Sequence, residues 1–112
     1  MASADDHQFL HLADTCLRDL QQQLDTFDPD EMEADLATGV LRIAFPDRRN
    51  CILNRQAAAH QLWLAEGATA WHFAYSAERN EWLDTKGRGE LREILEQVLS
   101  RRLGRSIQLR RS

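Results

Sequence analysis

The sequence is poor in cysteine, in long apolar runs and, over its first third, in positive charge. Cys16 and Cys51 are its only cysteines, and they form no CxxC pair. A disulfide framework or a structural zinc site is therefore not expected, and a reducing, cytoplasmic setting fits. No apolar run approaches the roughly 18–20 residues needed to cross a bilayer, which excludes a transmembrane helix. The opening Met1–Asp6 has neither a basic nor an apolar leader region, so no secretory or organellar address is expected. Repeats, low-complexity tracts and linkers are also missing. So are the GxSxG, HExxH, Walker and dinucleotide-binding motifs. With 112 residues, 43% of them apolar and 29% charged, the chain reads as a single domain over 1–112.

The net charge of −4 hides an asymmetry. Residues 1–36 carry ten acids against one base, Arg18, whereas the other 76 residues carry 13 bases and eight acids. An acidic end of this kind suits a cation or a basic partner and repels nucleic acid, although a merely solvated face would look the same.

Phe9, Leu12, Ala13, Cys16, Leu17, Leu20, Leu24 and Phe27 recur at helical spacing, with Asp5 or Asp6 as cap and Pro29 as terminator. Strands follow. Met32, Ala34 and Leu36 alternate with Glu31, Glu33 and Asp35, and the Thr38-Gly39 turn leads into Leu41, Ile43 and Phe45. Cys51–Leu53, Leu62–Leu64, Trp71–Tyr75 and Trp82-Leu83 complete about six short strands. Leu91, Ile94, Leu95, Val98, Leu99 and Leu103 stripe a second helix, closed by Gly104. Beyond it, Ile107 and Leu109 can fold a basic tail back onto the body. The expected fold is α+β: a two-layer sandwich with both helices on one face of an antiparallel sheet.

Three clusters could carry chemistry. His7, His11 and Asp14 share the polar face of the first helix at spacings of four and three, a set suited to a first-row transition metal or to plain exposure. Asp25, Asp28, Asp30, Glu31, Glu33 and Asp35 form an acidic ridge where helix gives way to strand. Strand carboxylates about 7 Å apart repel by only about 0.6 kcal/mol in water, so the ridge is tolerable empty. Equally, it offers open, weak sites for hard cations. An EF-hand fails, because Glu33 stands where its glycine belongs. The third cluster is Asn54-Arg55-Gln56 with Gln61 and Trp63. Trp63 points outward if Leu62 and Leu64 point in, either as a partner hot spot or covered by Arg42 or Arg55. Cys51 beside Ile52 and Leu53 reads as a core cysteine rather than a nucleophile for His60 or His72.

Taken together, Leu12-Ala13-Asp14, the acidic 25–35 stretch, Gly39-Val40-Leu41, Asn54-Arg55-Gln56, His60-Gln61-Leu62-Trp63-Leu64-Ala65 and Trp82 resemble the bacterial frataxin family. The likeness runs from about residue 6 to 109. It implies a helix–sheet–helix fold and weak binding of iron (Fe²⁺ or Fe³⁺). It also implies a role in iron–sulfur cluster assembly beside a cysteine desulfurase and a scaffold protein, as a monomer or as an oligomer with iron. The sequence offers no enclosed acid–base pair or nucleophile, so an enzyme is not expected. Asp14, Asp25, Asp28, Asp30, Glu31, Glu33 and Asp35 take the ridge positions that the resemblance implies, and His7 or His11, read from the helix face alone, could aid them in holding iron. The implied partner contacts are Glu31, Glu33, Asp35, Asn54, Gln56, Gln61 and Trp63. Gln21, Gln22 and Thr26 thin the ridge relative to the family, and the arginine-rich C-terminus lies outside its pattern.

Overall fold

A computed structural model describes residues 4–110. Helix α1 (Ala4–Leu24) is followed by strands β1 (Glu33–Ala37), β2 (Val40–Ala44), β3 (Asn50–Gln56), β4 (Gln61–Glu66), β5 (Thr69–Ser76) and β6 (Glu81–Asp84), and then helix α2 (Leu91–Leu103). The strands form one antiparallel sheet in sequence order. This is the expected α+β sandwich, because alternation on each strand leaves one apolar face for the helices to cover. Leu41, Ile43, Leu53, Leu62, Leu64 and Phe73 supply that face and are fully or almost fully buried. Phe9, Ala13, Leu17 and Leu20 of α1 and Leu91, Leu95 and Leu99 of α2 close over it.

Two helix boundaries differ from the sequence reading. α1 ends at Leu24, although the apolar spacing continues to Phe27. The chain tightens there, as Thr26 N donates to Gln23 O and Phe27 N to Leu24 O, and the Thr26 hydroxyl also bonds Gln23 O. Phe27 still packs on the core from the turn. Asp5 and Asp6 lie inside the first turn rather than at the cap, whose position falls outside the described residues. α2 is capped at both ends. The Glu90 side chain accepts from the amides of Arg92 and Glu93, and Gly104 adopts a left-handed φ of 68°.

The tail folds back as expected. Ile107 and Leu109 are buried. Ile107 N donates to Ser100 Oγ, Leu109 N to Glu96 Oε2 and Arg110 N to Gln23 Oε1. The tail therefore straps α2 to the end of α1. Among the described residues, no helix is long and apolar enough to cross a membrane.

Candidate functional site

The acidic ridge begins where α1 ends. Asp25 follows the helix, and Asp28 orders the next turn, its Oδ1 accepting from Asp30 N at 2.9 Å. Glu31 N and Met32 N both donate to Asp28 O, and the buried Met32 pins this turn to the core. β1 then alternates, so that Glu33 and Asp35 are exposed while Ala34 and Leu36 turn towards the helices. Asp25, Asp28, Asp30, Glu33 and Asp35 form no ion pair with another described residue. All five lie open to solvent.

Glu31 differs. Arg105 reaches it from beyond α2, donating Nη2 to Oε1 at 2.7 Å and Nε to Oε2 at 3.1 Å. These hydrogen bonds hold the Glu31 carboxyl below the usual glutamate range. The Arg105 guanidinium also sits 5.7 Å from the centre of the Phe27 ring.

The histidine end of α1 is a separate place. His7 and His11 are exposed, whereas Asp14 is drawn towards the sheet by Arg55, whose Nη1 lies 2.5 Å from Asp14 Oδ1. At 1.5 Å of helix per residue, His7 and His11 stand roughly 20–27 Å from Asp25. They cannot share an ion with the ridge. Among the described residues, no three His, Cys, Asp or Glu side chains come close enough to hold one metal ion. His7, His11 and Asp14 therefore do not gather round one ion, and neither do any three of the described ridge carboxylates.

The sheet's open face carries the other candidate residues. Asn54 pairs with Trp63, and Gln56 with Gln61, across β3 and β4. All four sit on the face opposite the helices, as do Glu33 and Asp35. Trp63 does point outward. Its cover comes from His72, directly across on β5, which stacks on the indole at 4.2 Å with an interplanar angle of 10°. Gln61 Oε1 accepts from the indole N–H at 2.8 Å. Arg55 is not the covering group, because it faces the helices from the inner side of β3, and Arg42 sits on β2, two strands away from Trp63. Val40, across from Asn54, is the one large apolar side chain exposed among the described residues. The result is a patch of amides, indole and valine bordered by carboxylates.

Both cysteines are core residues. Burial pushes the Cys51 thiol up to about 12 and the Cys16 thiol up to about 11. Neither is a thiolate at neutral pH, and Cys51 is inert towards His60 or His72.

The sequence reading missed the roles of three residues. Arg55 was legible as inward-facing, since it shares parity with Cys51 and Leu53. His72 shares parity with Trp63 only once the register of β4 and β5 is known. Arg105 carries no local signal at all.

The chain matches a family model for the frataxin-like domain over residues 2–105. It is 35% identical over 107 residues to the iron-sulfur cluster assembly protein CyaY of Delftia acidovorans, covering 92% of this chain and 95% of the relative. It is 38% identical over 98 residues to the protein of the same name from Thioalkalivibrio sulfidiphilus, covering 87% and 92%. The frataxin structure from Psychromonas ingrahamii superposes with a TM-score of 0.84 at 22% identity, covering 95% of this chain and 98% of that one.

Proposed function

The chain belongs to the frataxin-like family, and from that premise we propose that it serves iron–sulfur cluster assembly in the cytoplasm. In this reading it is not an enzyme. It carries iron weakly on its acidic ridge and docks on a cysteine desulfurase, near an iron–sulfur scaffold protein. The supporting observation is the row of carboxylates Asp25, Asp28, Asp30, Glu33 and Asp35, which form no ion pair with another described residue and run onto the open face that carries Asn54, Gln56, Gln61 and Trp63. Iron is cargo here. One or two carboxylate oxygens and water suit a hard cation that must be released, whereas a closed cage would retain it.

The ridge serves docking by the same electrostatics. Exposed like charges raise the rate of encounter with a basic surface, and the effect fades with salt. Trp63 is held by two contacts in a half-buried setting, the arrangement of an interface anchor.

A second reading is an acidic interaction module whose iron binding is incidental. It is favoured by the lack, among the described residues, of any three side chains able to share one metal. The experiment is charge reversal of Glu33 and Asp35 to lysine, with desulfurase binding measured by calorimetry with and without Fe²⁺. Loss of binding in both conditions, with the wild type insensitive to iron, selects the second reading. Binding by the wild type that changes with iron selects the first. Binding retained by the variant sinks both.

A further inference from the structure

One ridge carboxylate, Glu31, is already paired with a cationic side chain. Arg105 is presented to Glu31 by two devices on either side of it. Gly104 ends α2 in a left-handed turn, and the buried Ile107 and Leu109 fix the tail beyond. Between them the guanidinium makes a two-point contact with Glu31 and lies against the Phe27 ring. A planar fork over an aromatic face suits arginine far better than the compact ammonium of lysine. The pair is nonetheless substantially exposed, 49% for Arg105 and 34% for Glu31, and so can be exchanged.

We infer that Glu31 and Phe27 form a guanidinium-binding pocket for an arginine of the docking partner, which the chain's own Arg105 occupies in the free protein. The tail then acts as an internal competitor. A partner arginine must displace Arg105 before it reaches Glu31, whereas Glu33 and Asp35 stay open throughout. This rests on the reading that a basic partner docks on the ridge. It adds the kind of side chain recognised and a built-in limit on affinity. A clasp this exposed closes with an equilibrium constant of only a few, so its removal should tighten docking about two- to sixfold. The gain should shrink as salt rises.

The test compares the wild type, Arg105→Ala, Arg105→Lys and the double variant Arg105→Ala/Glu31→Gln, each checked for folding by its amide spectrum. Affinity for a bacterial cysteine desulfurase is measured by calorimetry at low salt, with Glu33→Lys/Asp35→Lys as the docking control. Two short capped peptides, Gly-Arg-Gly and Gly-Lys-Gly, are titrated in parallel while the amide signals of Phe27 and Glu31 are followed. Arg105→Ala is expected to bind the desulfurase about two- to sixfold tighter, Arg105→Lys to fall between it and the wild type, and the double variant to lose the gain. The arginine peptide should move the Phe27 and Glu31 signals in Arg105→Ala well beyond its effect on the wild type, and beyond the effect of the lysine peptide. If Arg105→Ala binds no tighter while the docking control abolishes binding, the docking reading stands and the pocket is refuted. If no variant binds the desulfurase, the docking reading falls and the peptides decide the pocket. Shifts selective for arginine support it, and equal or absent shifts overturn it.

Discussion

Asp14 and Arg55 stand 41 residues apart in sequence and 2.5 Å apart in space. The contact ties α1 to the inner face of β3 directly under the β1–β2 turn. Gly39 in that turn makes it possible, since a Cβ there would lie 2.6 Å from Arg55 Nε. The backbone agrees, because Gly39 has a φ of 75° and its carbonyl accepts from Arg55 N at 2.9 Å.

Gly39→Ala is therefore expected to destabilise the fold by about 2 kcal/mol, combining the left-handed penalty with displacement of Arg55. Asp14→Asn, which loses only a half-exposed pair, should cost about 1 kcal/mol or less. Urea unfolding of both variants checks the order.

Thr38, the other turn residue, gives the opposite expectation. It has a φ of 51°, and a two-residue turn with both angles positive favours Asn-Gly. Thr38→Asn should stabilise by about 1 kcal/mol, because a β-branched residue is strained there. Urea midpoints with an unchanged slope would confirm a native-state effect.

Trp63→Ala separates binding from folding. The indole lies on the open face, so its loss should cost about 1 kcal/mol of stability, chiefly the His72 stack. Partner affinity should fall about thirtyfold, the size of a 2 kcal/mol hot spot. Calorimetry against the desulfurase and the scaffold protein, beside thermal unfolding, reads both quantities.

The acid limb of stability should depend on two carboxyls. Arg105 holds that of Glu31 down, and Arg88, through its side chain, holds that of Asp84 down. The unfolded chain binds these protons more readily than the folded one. Their stabilisation is thus complete above the ordinary carboxylate range and is lost as pH falls below it. Asp84→Asn should flatten the fall in stability between about pH 5 and pH 2. Glu31→Gln should flatten it less, since that pair faces solvent. Urea midpoints across that range check the sign.

The fold was readable because its signals are local. Alternation placed Leu41, Ile43, Leu62 and Leu64 on one face, and helical spacing placed Phe9, Ala13 and Leu20 opposite them. The first helix was read too long because Phe27 keeps the apolar spacing although Thr26 and Leu24 have already closed the turn. Contacts across the sheet or between distant segments were not readable. His72 over Trp63 requires the register of two strands, and Arg105 on Glu31 joins groups 74 residues apart. The candidate ridge was visible as composition. That Asp14 leaves it for Arg55, and that His7 and His11 lie a helix length away, emerged only from geometry.

The central claim is that iron and the desulfurase meet on one ridge. An amide-resolved NMR titration at 150 mM salt tests it, with Fe²⁺ added anaerobically and the desulfurase added separately. Both should perturb Asp25, Asp28, Asp30, Glu33 and Asp35 and leave His7 and His11 unchanged. Iron that leaves those ridge signals undisturbed would contradict the claim, and the ridge would then be a docking face alone.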